Sequence, residues 1–158
     1  MDLVIRCIED EVAQNDAKDD LFHYLNLMST YWIGGMYETF RLLRERKLAD
    51  DDKRLSAILG DLELLRIPLE KHEIAKDRTL KTPLTLTRMP PNKDSTDIYS
   101  YAREDPARAH IMPMGISPRG SVMWQAIDLR GNTSRWIERR GLSDQILELA
   151  EENVPPRA

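Results

Sequence analysis

Apolar residues recur every three or four positions along the N-terminal half of the chain. The most regular run predicts a long helix over about residues 21–47, with one face against a core. A shorter run over 2–14, with Asp2 as a candidate N-cap, predicts a first helix. The apolar positions of the long helix are Leu21, Leu25, Met28, Trp32, Met36, Phe40 and Leu43.

A third helix is predicted after the acidic run Asp50-Asp51-Asp52, which supplies an N-cap and first-turn anions. Pro68 lacks a backbone N–H and disfavours a helical Ile67. The element therefore either kinks at 66–68 or restarts as a fourth helix running to about Arg78. Its stripe, which His72 would extend, consists of Leu55, Ile58, Leu62, Leu65 and Leu69.

The pair Gly34-Gly35 lies in the middle of the long helix. Each glycine costs roughly 1 kcal/mol relative to alanine at such a position. Close approach of another backbone is the simplest reason for the pair, and a hinge is the alternative.

The pattern changes to short alternating runs and turn residues after Lys81. Residues 121–129 and 133–139 read as a hairpin around the turn 130–132, and Ser143 as the cap of a final helix over about 144–152. The hairpin should pack on the helices or pair with a strand near 84–88. The remaining predictions are a strand at 82–88, turn residues at 90–94, a loop with one short helical turn at 96–120 and a frayed tail at 154–158.

These elements predict an α+β fold. Residues 1–80 form an N-terminal bundle of three or four helices. Residues 81–158 form a small extension, with a β hairpin or three-stranded sheet and a closing helix, packed on the bundle in a single compact domain.

Composition narrows the class of protein. With 158 residues, 41% hydrophobic and 32% charged, the chain can bury its own core. The net charge of −4 argues against non-specific duplex binding, which depends on many phosphate contacts. No apolar run approaches the roughly 20 residues of a membrane span. The single cysteine, Cys7, suits a reducing cytoplasm and is expected to be buried.

Metal and cofactor motifs are absent from the sequence. The histidines His23, His72 and His110 lie far apart, and no CxxC or HxxH spacing occurs. No glycine-rich phosphate loop is present either. We therefore expect no cofactor.

The tryptophans of the predicted hairpin, Trp124 and Trp136, admit two interpretations. They could stack on bases, flanked by Arg135, Arg139 and Arg140. Cross-strand packing of both rings against the helices is the favoured interpretation.

Arg66 and His72 are the one pair that points to chemistry, because they flank the proline of the third helix. On an ideal helix their side chains would lie about 120° apart, so contact needs a distortion or a second subunit. A converging pair could move a proton and stabilise the charge that develops in metal-free RNA cleavage. The alternative for Arg66 is an ion pair with Glu63 or Glu70 at helical spacing.

The segment 20–78 resembles the HEPN families of helical proteins. In these, an arginine and a histidine a few residues apart mark a metal-independent ribonuclease site built across a dimer interface. The resemblance rests on Arg66, His72 and the helix around 32–41. Where the families have a polar residue after the arginine, this chain has Ile67 and then Pro68, the pattern expected of a non-catalytic member.

Our leading hypothesis is a cytoplasmic, non-enzymatic interaction protein. It would form a homodimer through the long helix and the Leu55-to-His72 stripe, and bind a protein or nucleic-acid partner. The alternative is a HEPN-like ribonuclease that uses Arg66 and His72 from two protomers, supported by Glu38 and Arg41. Glu38 and Arg41 can also simply pair along their own helix.

Overall fold

A computed structural model describes residues 1–14, 19–47, 53–88 and 96–152. Three helices precede two small antiparallel sheets, and a fourth helix closes the chain, so the predicted α+β class is confirmed. The elements are α1 (Asp2–Gln14), α2 (Asp19–Glu45), α3 (Lys53–Lys71), a 3-10 helix (Asp77–Thr79), β1 (Leu84–Arg88), β2 (Asp97–Tyr101), β3 (Met114–Ile116), β4 (Val122–Asp128), β5 (Thr133–Glu138) and α4 (Arg139–Glu152).

The predicted first and second helices are confirmed nearly to their ends. The apolar periodicity selects the buried face in both: Ile5 and Val12 of α1 and Leu25, Trp32 and Phe40 of α2 are buried in one core. This core also takes side chains from α3, β4, β5 and α4, so helices and sheet exclude water together.

Cys7, expected to be buried, is exposed. It lies on the outer side of α1, where its neighbours Leu3 and Val4 are exposed as well. The core side of the helix is occupied by Ile5, Glu9 and Val12. The expectation failed because the cysteine's position on the helix, and not its residue type, decides its burial.

Helix α3 runs through Pro68 and ends at Lys71, so the restart as a fourth helix reaching Arg78 is wrong. His72 terminates the helix: its N–H donates to the Pro68 carbonyl at 3.0 Å and its φ is +56°. A left-handed residue is the usual way to end a helix. Only the 3-10 helix follows before the strands.

The stripe Leu55, Ile58, Leu62 and Leu65 is buried in the core of its own chain. Within the chain, α2 and the sheet already cover these four side chains. The predicted homodimer through the long helix and this stripe stays a prediction.

The prediction of a loop over 96–120 is also wrong, because this stretch contributes β2 and β3. Strand β2 pairs with β1 and β3 pairs with β4, both antiparallel. Both strands are short, and the prolines between them hid the alternation of side chains. The predicted strand at 82–88 is confirmed as β1.

The predicted hairpin is confirmed as β4 and β5, which pair from Met123 with Glu138 to Asp128 with Thr133. It packs on α2, α3 and α4 rather than pairing with β1. Trp124, opposite Ile137, is 1% exposed, whereas Trp136, opposite Gln125, is 48% exposed. The two rings thus lie on opposite faces, which rules out both a shared stacking platform and the packing of both on the helices.

Helix α4 begins at Arg139, directly after β5, and not after Ser143 as predicted. Ser143 is buried within the helix, where its hydroxyl donates to Asp2 and accepts from Arg6. The position of Ser143 beside a periodic apolar run suggested an N-cap. In the structure this serine instead forms hydrogen bonds between the first and last helices. Three predictions lie outside the described residues: the cap at 50–52, the turn at 90–94 and the tail at 154–158.

Candidate functional site

Three of the four predicted site residues lie together on the outer surface of α2 and α3. Arg66 of α3 reaches across to Glu38 of α2, with Nη2 and Oε1 3.1 Å apart. Glu38 also accepts a 2.8 Å contact from Arg41. Tertiary packing thus joins Glu38, Arg41 and Arg66 through one shared carboxylate.

Two more carboxylates complete this ion cluster. Glu70, one turn after Arg66, lies 2.9 Å from its Nε, and Glu45 lies 2.6 Å from Nη1 of Arg41. We call Glu38, Arg41, Glu45, Arg66 and Glu70 the α2–α3 ion cluster. It contains three carboxylates and two guanidinium groups, so its formal charge is −1.

The cluster holds Arg66 firmly. Its guanidinium lies over the ring of Tyr37, 4.6 Å from the ring centre. Burial lowers the pKa of Arg66, but the hydrogen bond to Glu70 and the charges of Glu70 and Glu38 outweigh it, so its pKa lies above the usual value. A phosphate would have to displace these two carboxylates to reach the guanidinium.

Gly34 makes room for this arrangement. A β carbon at Gly34 would lie 3.1 Å from Oε1 of Glu70, whereas one at Gly35 would meet nothing within 4 Å. The predicted close approach of another backbone is therefore wrong: a carboxylate lies against Gly34, and Gly35 faces open space.

His72, the fourth predicted residue, has an exposed side chain at the end of α3. Its backbone carbonyl accepts a 2.7 Å hydrogen bond from the N–H of His110. No hydrogen bond or ion pair between Arg66 and His72 is found within the described parts of the chain. Arg66 has the predicted partner Glu70, while the other predicted partner, Glu63, pairs with Lys76.

A second cluster, which the sequence analysis missed, joins α1 to α4. Arg139 and Glu9 are both 0% exposed and form a bidentate pair, with distances of 2.7 and 2.6 Å. Asp2 accepts a further bond from Arg139, 2.5 Å long, and the Trp32 ring lies 5.2 Å from the guanidinium. The idea that Arg139 flanks a nucleic-acid surface is wrong.

Around this pair, further ion pairs connect the two helices and the sheet. Burial raises the pKa of Asp2, but hydrogen bonds from Arg6 and Arg139 outweigh it and hold the pKa below its usual value. Burial also raises the pKa of Asp144, but hydrogen bonds from Arg119 and Arg6 outweigh this effect, so its pKa too lies below the usual value. Arg140 pairs with Asp10, and Arg135 with Asp61 of α3. This network holds elements together, and its cations are already neutralised.

A third polar group lies between the two sheets. His110 is buried, and its Nδ1 lies 2.9 Å from the hydroxyl of Tyr99 on β2. The desolvation that accompanies burial lowers its pKa, so the ring is neutral near pH 7. From the sequence, His110 could be described only as a histidine too far from the other two to share a metal ion with them.

Two absences bear on function. Within residues 1–14, 19–47, 53–88 and 96–152, no group of three His, Cys, Asp or Glu side chains is arranged to hold a metal ion. In the same ranges, no helix has both the length and the apolar character that crossing a bilayer requires.

Comparisons with known proteins add no functional information, because the chain matches no family model, no curated protein and no solved structure.

Proposed function

We propose that the chain is a cytoplasmic interaction protein that self-associates through the outer face of α1 and α2 and binds a protein partner. The observation that carries the proposal is an exposed apolar stripe on α2. Tyr24, Leu27 and Tyr31, spaced three and four residues apart, are 48%, 51% and 65% exposed. Leu3 and Val4 of the adjoining α1 are exposed too.

Size and charge support this choice. At 27 residues, α2 is about 40 Å long, enough for an extended helix-to-helix contact. Contiguous exposed apolar surface is typical of protein interaction sites. A nucleic-acid partner is less well supported, because Arg41, Arg66, Arg119, Arg139 and Arg140 all pair with carboxylates. The lone cysteine supports the cytoplasm as the compartment.

Replacing Leu27 by glutamate is expected to abolish self-association. A charge at the centre of an apolar interface would have to be desolvated without a partner, whereas in the monomer it remains in water. Light scattering coupled to gel filtration should give about twice 18.3 kDa for the wild type and 18.3 kDa for Leu27→Glu.

Ile98→Glu is the matched control. Ile98 is 72% exposed on β2, outside α1 and α2, so this variant should keep the wild-type mass. A wild type that stays at 18.3 kDa up to its highest soluble concentration would contradict self-association. Equal effects of both variants would argue against this face.

The second candidate is the HEPN-like ribonuclease, favoured by one observation: Glu38 and Arg41 of α2 lie on one surface of the bundle with Arg66 of α3, the helix that His72 terminates. A second protomer would have to supply His72 to the Arg66 of the first. The carboxylates around Arg66 weigh against this candidate, since they compete with a phosphate.

No RNA cleavage in EDTA is expected from the wild type under the leading proposal. His72→Gly is the informative variant because it removes the imidazole yet suits a φ of +56°. His23→Ala, at another exposed histidine, is its control. Cleavage by the wild type and His23→Ala but not by His72→Gly would establish the ribonuclease. In that case, mixing the Arg66→Ala and His72→Gly proteins should restore activity. A mixed dimer would contain one intact site, with Arg66 from the His72→Gly protomer and His72 from the Arg66→Ala protomer.

A further inference from the structure

A cavity of about 280 Å³ lies between β1 of one sheet and β4 and β5 of the other. Its volume is close to the lower end of the range found for small-molecule sites. Part of its wall is apolar, which favours a ligand with an apolar body. The apolar side chains are Leu84, Leu86, Ile127 and Leu129.

The polar part of the wall is almost uncharged. Gln125 of β4 and Ser134 of β5 are diagonal neighbours across the strand pair, with Nε2 and Oγ 3.5 Å apart, and they offer both donors and acceptors. Asp128 is the one charged residue among the lining side chains of the described chain, and neither lysine nor arginine lines the cavity. Among the described residues that line the cavity, an anionic ligand would therefore meet a carboxylate and no cation.

Strand β4 adds peptide groups to the same wall. The N–H of Gln125 donates to the carbonyl of Pro113 at 2.9 Å, and β3 begins only at Met114. Because backbone groups alternate in direction along a strand, the N–H and C=O of Ile127 point to the same side as those of Gln125. Among the described residues, no strand pairs with β4 at that point.

His110 supplies the observation that points to a ligand. The residue lines the cavity and is only 4% exposed, and its Nε2 has no hydrogen-bond partner within the described residues. Nδ1 is already taken by Tyr99, and the backbone N–H is fixed by His72. Buried polar atoms are nearly always satisfied, so a buried ring nitrogen in a cavity wall that has no partner among the described residues points to a bound group.

We propose that this cavity binds a small uncharged molecule that joins an apolar ring to an amide-like edge, with Nε2 of His110 making one of its hydrogen bonds. An amide edge carries a donor and an acceptor side by side. It therefore satisfies a neutral imidazole in either tautomer and complements the peptide edge at Ile127. A nucleobase or an aromatic carboxamide has this chemistry.

The test uses the full chain and two probes of nearly equal shape, benzamide and benzoate. The side-chain ¹⁵N signals of His110 are followed by NMR, with exposed His23 and His72 as internal references. Benzamide should shift the His110 signals saturably, and benzoate should leave them unchanged at the same concentrations. No saturable shift with benzamide, or equal binding of both probes, would overturn the proposal.

His110→Phe retains an aromatic ring but removes the nitrogen, and should weaken benzamide binding at least tenfold, read from the amide signals of β4. If this variant fails to fold, Gln125→Ala and Ser134→Ala provide the test, since each should weaken binding severalfold. Ile111→Ala is the control, because Ile111 is 78% exposed and does not line the cavity. Unchanged affinity in both the glutamine and serine variants would also overturn the proposal.

Discussion

Replacing Arg139 by methionine is expected to lower the free energy of unfolding by about 3–5 kcal/mol, because the buried Glu9 carboxylate loses its bidentate partner and keeps only Arg140, 4.0 Å away. Both side chains are fully buried, and the pair is bidentate. Urea denaturation followed by circular dichroism measures the change as a shift of the midpoint at constant slope.

Arg54→Met is the control for that experiment. Arg54, on α3, pairs with Glu152, and both side chains are exposed. A pair of this kind contributes less than about 1 kcal/mol. If both variants lowered the free energy of unfolding by a similar amount, burial of the Arg139–Glu9 pair would not be the reason for the loss of stability. The double variant Glu9→Leu/Arg139→Met should regain much of the loss, since no unpaired charge then remains in the core.

Gly120→Ala is expected to cost about 3 kcal/mol or more. Gly120 has φ of +72°, where an alanine is strained by roughly 1–2 kcal/mol. Its β carbon would also lie 1.9 Å from the Glu9 carbonyl oxygen and 2.7 Å from the Ala13 nitrogen. Both atoms belong to the backbone of α1, which cannot yield as a flexible side chain can, so the overlap adds to the strain.

Gly35→Ala is the same substitution at another glycine, and it is expected to raise the free energy of unfolding. A β carbon there meets nothing within 4 Å, and alanine is favoured over glycine in a helix by about 1 kcal/mol. Thermal unfolding should place the Tm of Gly35→Ala about 2–4 °C above that of the wild type.

A Gly120→Ala protein as stable as the wild type would show that the β3–β4 turn does not rest against α1.

Periodicity predicted the elements whose apolar positions repeat over several turns or residue pairs. Helix α2 and the β4–β5 hairpin are of this kind, and both were located nearly to their ends. Strand β3 has only three residues and lies between prolines, so its sequence carries too few alternations to identify it. Its existence depends on the pairing with β4, a contact distant in sequence.

The contacts of the site residues likewise divide into those that sequence spacing predicts and those that depend on tertiary packing. Contacts within one helix, such as Glu38 with Arg41, follow from sequence spacing. The contact of Glu38 with Arg66 does not, because it depends on how α2 and α3 lie side by side. Glu9 did carry a signal, since it stands between Ile5 and Val12 on the apolar side of α1, where a charge requires a partner. Nothing in the sequence distinguished buried Arg139 from its neighbour Arg140.

The pairing of Glu9 with Arg139 also constrains how the protein acquires its structure during synthesis. Helix α1 leaves the ribosome before α4, and the cation that neutralises its inward carboxylate lies 130 positions later in the chain. Until that arginine emerges, docking of α1 would bury a charge alone, which is unfavourable. We therefore expect α1 of a nascent chain to dock in the core only when α4 has been made.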